Sequence, residues 1–188
     1  MTRGSGGRIL AGGKKWSSVV HRGLLRPPRA HGGFFSPGRN MERLRGSAET
    51  TVDEKGRFKV PAVFRTPIEE TWGGEFFLTS ITGTDVLVYP MPVWNVFEEK
   101  LAALPPVHRA RAKFLERFNT FGQSAKMDPQ GRLLIPSLLR DVSGLAGDAL
   151  VLGQTDHLKL VNRTKHLKAL KAASLTDEDY DALSRHLL

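Results

Sequence analysis

The sequence predicts an α+β fold: two similar small β units carrying short helices, joined and flanked by longer helices. Three observations predict it. The decapeptide VDEKGRFKVP at 52–61 returns as MDPQGRLLIP at 127–136, with Asp, Gly, Arg and Pro at identical places. Each copy is followed by a proline-led helical stretch and then by two short apolar runs with strand character. Between and after these repeats stand segments whose apolar residues recur at helical spacing.

In the first half, PAVFRTPIEETW places Pro61 in the first turn of a short helix, where its missing N–H has no partner to lose. EFFLTSI and DVLVY read as strands, and PVWNVFEEKLAAL closes the half as a helix. The second half repeats this order with PSLLRDVSGL, led by Pro136, then DALVLGQ, HLKLV and the helix RTKHLKALKAA. The quartet TDVL at 84–87 matches TDHL at 155–158, so the duplication extends well beyond the hairpin. Between the halves, PPVHRARAKFLERFNTF spaces Phe114, Phe118 and Phe121 on one helix face. At the end, TDEDYDALSRHL offers Thr176 as N-cap, acids in the first turn, and a stripe of Tyr180, Leu183 and Leu187. A unit of this size only marginally offsets its chain entropy, so pairing of the two units is expected, as an intramolecular pseudo-dimer.

Charge is unevenly placed. The chain of 188 residues has a formal net charge of +9. Residues 1–40 carry eight of its 28 Lys and Arg and none of its 19 acids, leaving 20 basic against 19 acidic side chains in the rest. Those forty residues also hold nine Gly and three Pro and show no periodicity, which predicts disorder. Glycine content argues against the amphipathic helix of a transit peptide, and RILAGG supplies no secretory apolar core. GRILAGGKK lacks the first Gly and the Ser or Thr of a phosphate loop. Two readings of the segment stay open: a basic arm attracted to phosphates, or a leader ahead of a true start at Met41. The abrupt onset of patterning after Met41 favours the second.

With no cysteine, disulfides, thiolate metal sites and cysteine nucleophiles are excluded, which fits a cytosolic compartment. No apolar run is long enough to cross a bilayer. The six histidines show no metal-ligand spacing with a neighbouring acid, no nucleophile elbow is present, and the pairs Glu69–Glu70 and Glu98–Glu99 fall on solvated helix faces. Neither catalysis nor a cofactor is expected.

Turn chemistry accounts for part of the repeated motif. Asp128 holds the backbone two residues on, Pro129 fixes the next dihedral, and Gly131 supplies the positive φ; Asp53 and Gly56 do the same without proline. It does not account for Arg57 and Arg132. A guanidinium held at the mouth of a hairpin can pair with the O6 and N7 edge of guanine, and a two-stranded ribbon fits the major groove. The plainer alternative is that each Arg pairs with its own Asp across the turn, as surface ions commonly do. The halves differ in that Lys55 and Lys59 flank Arg57, whereas Gln130 and Leu134 flank Arg132, which makes the first hairpin the better phosphate-facing element and Arg57 the first candidate. A rival cationic element is the linker helix, with His108, Arg109, Arg111, Lys113 and Arg117, but its aromatic stripe suits packing and its cations suit a solvated side. Trp72 and Trp94 read as core.

The stretches RGSAETTVDEKGRFKVPAVFR, YPMPVWNVFEEKL, MDPQGRLLIPSLLR and LVLGQTDHLKLV together resemble the MraZ family of bacterial transcription regulators, over essentially all of residues 41–188. The resemblance implies two tandem AbrB-like swapped-hairpin β-barrel units forming the pseudo-dimer, a first at 45–105 and a second at 119–173, with a linker helix at 106–118 and a C-terminal helix at 174–188. It further implies sequence-specific binding of double-stranded DNA through D-x-x-x-R motifs, which fall on Asp53 and Arg57, then Asp128 and Arg132. Also implied are a ring-shaped homo-oligomer, repeated short boxes upstream of a division and cell-wall gene cluster as target, repression that includes its own promoter, and association with the nucleoid in the cytoplasm. A different class, an antitoxin-like module that binds protein, would suit the same scaffold.

Overall fold

The structure is a computed structural model, and it describes residues 43–187. The expectation of a disordered basic segment at 1–40 lies outside the described residues. Eight strands and six helices occur among those described: β1 Ser47–Val52, β2 Arg57–Lys59, α1 Ala62–Trp72, β3 Glu75–Thr79, β4 Val86–Pro90, α2 Met91–Ala102, α3 Arg109–Phe121, β5 Gln123–Lys126, β6 Arg132–Leu134, α4 Ser137–Ser143, β7 Gly147–Gly153, β8 Leu158–Asn162, α5 Arg163–Ala172 and α6 Asp177–Leu187. The class is α+β, as the patterning requires.

All eight strands join one antiparallel sheet in the order β5-β3-β4-β8-β7-β1-β2-β6. The two edge strands, β5 and β6, are the arms of a single hairpin, whose turn is closed by Asp128 N–H to Arg132 O at 2.9 Å. The sheet therefore curls into a nearly closed barrel. Its order is unchanged when each first-half strand is exchanged with its second-half counterpart, so the barrel has an internal two-fold. β1 pairs with β7, β2 with β6, β3 with β5 and β4 with β8, and every one of these ladders joins one half of the sequence to the other.

Alternation explains why the strands fold this way. Phe58, Val60, Leu133 and Ile135 point inward at 0–2% exposure, with Phe76, Leu78, Val86, Val88, Val151, Leu158 and Leu160 filling the same core. Phe64, Ile68 and Leu139 close the barrel from α1 and α4. Both of these helices begin after an extended proline, Pro61 at φ −58° and Pro136 at φ −52°, one position before the first helical residue. α4 ends at Gly144 in the left-handed conformation, φ 62°. Where β4 meets β8, the buried Asp85 is held by Lys159 Nζ at 2.8 Å and Ser80 Oγ at 3.1 Å. Burial of a carboxylate is tolerable only with such partners.

A second cluster lies outside the barrel. Trp94 of α2 is 3% exposed and packs with Phe77, Tyr89, Phe97 and Phe118, with Phe77 stacked on it at a centroid distance of 4.1 Å. Trp94 is core, as expected, while Trp72 is only partly buried against the barrel. The linker helix runs from Arg109 to Phe121, not over 106–118. Pro105 and Pro106 delay its start, and the Phe stripe carries it on to Gly122, where a side chain would strike the Phe77 ring. The C-terminal helix opens at Asp177 with a reciprocal cap: Asp179 N–H donates to Thr176 Oγ1 at 3.3 Å, and Thr176 N–H donates to Asp179 Oδ2 at 3.0 Å.

Candidate nucleic-acid interface

Each hairpin turn is built by its aspartate and glycine. In the first, Gly56 N–H donates to Asp53 O at 2.9 Å, and Gly56 takes φ +80°. In the second, Gly131 N–H donates to Asp128 O at 2.8 Å, with Gly131 at φ +76°. A Cβ at either position would be strained, which fixes the residue type. Asp128 Oδ1 also accepts from Gln130 N–H at 2.9 Å.

The same aspartate then locks the arginine. Asp53 Oδ1 accepts from the Arg57 N–H at 2.8 Å and Oδ2 from Arg57 Nε at 2.8 Å, with Nη2 also 2.8 Å away. Asp128 treats Arg132 identically, at 2.8 Å to the N–H and 2.7 Å to Nε, while Arg132 Nη2 donates to Gln130 Oε1 at 3.1 Å. The Asp–Arg pairing set out as the plainer alternative is thus present. It does not consume the arginine: a guanidinium carries five N–H donors, and the aspartate is met on the Nε side. The side chains of Arg57 and Arg132 remain 34% and 35% exposed.

These contacts set the carboxyl acidities. Donation from the Arg57 backbone N–H, then from its guanidinium, holds Asp53 below the ordinary aspartate range. Partial desolvation pushes Asp128 up, but the N–H and guanidinium of Arg132 outweigh it and the net direction is down. Both stay ionised at neutral pH.

Antiparallel pairing of β2 with β6 brings the two motifs onto one face. Arg57 stands opposite Leu134, Phe58 opposite Leu133, and Lys59 opposite Arg132. Phe58 and Leu133 point into the core, so Arg57, Lys59, Arg132 and Leu134 share the outer face. Lys55 is exposed in the first turn beside them. The six candidates named from sequence (Asp53, Lys55, Arg57, Lys59, Asp128 and Arg132) therefore fall on one ribbon made by both halves.

Two cations escaped the sequence reading. Arg140 Nη1 lies 3.3 Å from Glu54 O in the first turn, and a Cβ at residue 56 would be 2.8 Å from that nitrogen. A Cβ at residue 131 would be 2.5 Å from Arg65 Nη1. Both arginines stand four residues after the repeated proline, a coincidence legible in PAVFR and PSLLR. In α3, Phe114 and Phe118 enter the aromatic cluster and the Arg111 Nε is buried, so that helix is occupied mainly with packing. Among the described residues no group of three or more His, Asp and Glu is placed to hold a metal ion, and no helix is long and apolar enough to cross a membrane.

The fold and this face define a small antiparallel-barrel protein that presents two paired cationic hairpins, the class in which a rigid β-ribbon offers arginines at fixed angles. Residues 44–117 match the family model described as "MraZ protein, putative antitoxin-like". A relative from Acidobacterium capsulatum, named transcriptional regulator MraZ, is 41% identical over 141 residues, covering 75% of this chain and 97% of the relative. One of the same name from Koribacter versatilis is 42% identical over 143 residues, with the same coverage of each chain. Another from Nitrosomonas europaea is 33% identical over 123 residues, covering 65% and 82%. The chain belongs to the MraZ family.

Proposed function

We propose that the chain regulates transcription, as its relatives' name says of them, by binding DNA sequence-specifically, and that it reads double-stranded DNA with the β2–β6 ribbon. The observation that carries this is the cross-strand pair of Lys59 with Arg132. Like charges directly opposite each other on a sheet destabilise it. Asp128 offsets part of the charge on Arg132, and a polyanion laid across the ribbon relieves the repulsion that is left. Arg57 and Arg132, each oriented by its aspartate, then supply bidentate contacts to guanine edges, and Lys55 and Lys59 meet phosphates.

The cross-half ladders and the exchange symmetry of the sheet support a tandem AbrB-like, swapped-hairpin reading, with units at 45–105 and 119–173. Outside residues 1–40 the chain has 20 basic and 19 acidic side chains, so affinity has to come from local clusters used many times. A ring of identical subunits would make later contacts intramolecular and raise avidity on the order of a hundredfold. The target is then DNA with several spaced copies of a short box, upstream of the chain's own gene and of a division and cell-wall cluster. The output is repression, and the location is the cytoplasm at the nucleoid. The role is binding, not catalysis.

Footprinting of the full chain on its own upstream DNA, with Arg57→Ala and Arg132→Ala tested separately, decides the matter. Protection by the wild type that either variant loses, while folding normally, supports the assignment. Wild-type footprints from Arg57→Ala place the reading surface elsewhere. The family description's antitoxin-like wording keeps a protein-binding role as the second reading; it would be favoured by absence of any footprint.

A further inference from the structure

We propose that Arg140 and Arg65 are positioning residues, each bracing the D-x-x-G-R turn that belongs to the other half of the sequence. The inference rests on the DNA-reading role of those turns for its functional meaning, and on geometry alone for the brace itself.

The ladder between β2 and β6 continues past the strands. Ile135 N–H donates to Gly56 O at 2.9 Å, and Val60 N–H donates to Gly131 O at 2.8 Å. Each strand therefore delivers the helix that follows it to the opposite turn. α4 brings Arg140 to the first turn, where Nη1 reaches Glu54 O at 3.3 Å. α1 brings Arg65 to the second turn. The guanidiniums lie across the two glycines: a Cβ at 56 would meet Arg140 Nη1 at 2.8 Å and Cδ at 3.4 Å, and one at 131 would meet Arg65 Nη1 at 2.5 Å and Cδ at 2.8 Å. Glycine is required at both places for its positive φ, and its missing side chain leaves room for the crossing cation.

Neither arginine has a strong local acid to explain its pose. Arg140 Nε is 3.8 Å from Asp141 Oδ1, and Arg65 Nε is 3.9 Å from Glu69 Oε2 and is buried without a hydrogen-bond partner. A flexible cation on a helix normally extends into water, where its solvation is best. Here both lie flat on a turn, at 30–32% side-chain exposure. What a guanidinium held there does is limit the turn's freedom: the 53–57 turn cannot open without displacing Arg140, nor the 128–132 turn without displacing Arg65. The angle at which Arg57 leaves its hairpin is thus set in part by α4, and that of Arg132 by α1. Each half thus helps to hold the other's reading arginine.

The test uses the full chain with Arg140→Ala, Arg65→Ala, and Arg140→Lys, which keeps charge and stem but loses the planar fork. Amide exchange is followed over residues 53–57 and 128–132. Arg140→Ala should quicken exchange in the first turn by roughly tenfold and leave the second unchanged, Arg65→Ala should do the reverse, and Arg140→Lys should behave like the alanine variant. Binding to a duplex from the upstream region should weaken by a similar factor with an unchanged salt slope, because a positioning residue releases no counterions. Exchange that is unchanged, or that rises equally in both turns, overturns the brace. A salt slope reduced by about 0.9 for one substitution also overturns it, by making the arginine a phosphate contact. Arg57→Ala serves as the separate control: if that variant binds DNA like wild type, the DNA-reading role of the turns fails, while the exchange data still decide the brace.

Discussion

Lys59 of the first hairpin stands directly across the β2–β6 ladder from Arg132 of the second, with the buried Phe58 and Leu133 beneath them. The two positive charges come from opposite halves of the chain. Replacing Lys59 by leucine, the residue at the matching place in the second hairpin, removes the repulsion. Stability should rise by about 0.2–1 kcal/mol at low salt and by less at high salt. Affinity for the upstream duplex should fall, and its salt slope should lose about 0.9. Urea midpoints and a salt series measure both; an unchanged slope would take Lys59 off the phosphate contacts.

Truncating the arginines should separate binding from folding. Arg57→Ala and Arg132→Ala should each weaken specific DNA binding about ten- to a hundredfold, the span of one bidentate base contact. Arg57 should matter more, since Lys55 and Lys59 flank it. Arg57→Lys should not restore the preference among boxes, because an ammonium cannot form the paired contact. Circular dichroism melts alongside competitive gel shifts distinguish a lost contact from a lost fold.

The aspartates predict an acid limit. Both carboxyls are depressed in the fold, Asp53 chiefly by the Arg57 N–H and guanidinium, and Asp128 by those of Arg132 against the upward push of desolvation. A depressed carboxyl contributes stability that is present above its unfolded value and is lost as pH falls through the folded one. The turns should therefore hold at neutral pH and loosen only below the ordinary value of 3.8. Carbon NMR titration of the two carboxyls reads this directly, and midpoints at or above that value would contradict the clamp.

Tyr89 predicts an alkaline limit. Burial raises its phenol first, and the charges of Asp156 and Asp85 raise it further. Its ring is stacked on His157 at 4.2 Å, and His157 Nδ1 is 2.7 Å from Asp156 Oδ1. A raised pKa means the contribution is fully present below the ordinary value of 10.0 and is lost as pH climbs towards the folded one. Tyr89 should therefore ionise only as the protein unfolds in alkali. Phenolate absorbance that appears together with the loss of tryptophan fluorescence structure, and that Tyr89→Phe uncouples, is the expected result.

The inner side of the ribbon should be costly to disturb. Leu133 is 0% exposed and Phe58 1%. Leu133→Ala should cost about 2–5 kcal/mol and Phe58→Ala about 3–5 kcal/mol, from lost burial and the cavities left behind. Leu134→Ala, one residue along but 56% exposed, should cost well under these. Chemical denaturation of the three variants checks the inward–outward alternation on which the interface depends.

Much of the candidate site was legible because it is local. Asp53 with Gly56, and Asp128 with Gly131, are turn chemistry spelled out within five residues, and the arginine follows at once. β3, β4, β7, β8 and the helices of both halves were legible from apolar runs, proline placement and helical spacing, whereas β1 and β5 were not, because their residues are mostly polar and exposed. The start and end of α3 were not, because Pro105 and Pro106 delay it and the chain turns extended at Gly122 to enter β5. Arg65 and Arg140 carried a signal in the repeat, yet nothing local says that a helix cation will reach a turn in the other half.

By itself the sequence determined the class of fold, the doubled hairpin and the residue types at each turn, since these follow from short-range sterics and from local apolar spacing. Only the tertiary structure decided that β2 lies against β6, that Lys59 therefore meets Arg132, and that each turn is held from the opposite half. Those pairings join residues far apart in the chain, and what selects them is closure of the barrel around Phe58, Leu133 and their neighbours: the burial of one common core chooses the register, and the register chooses which charges share a face.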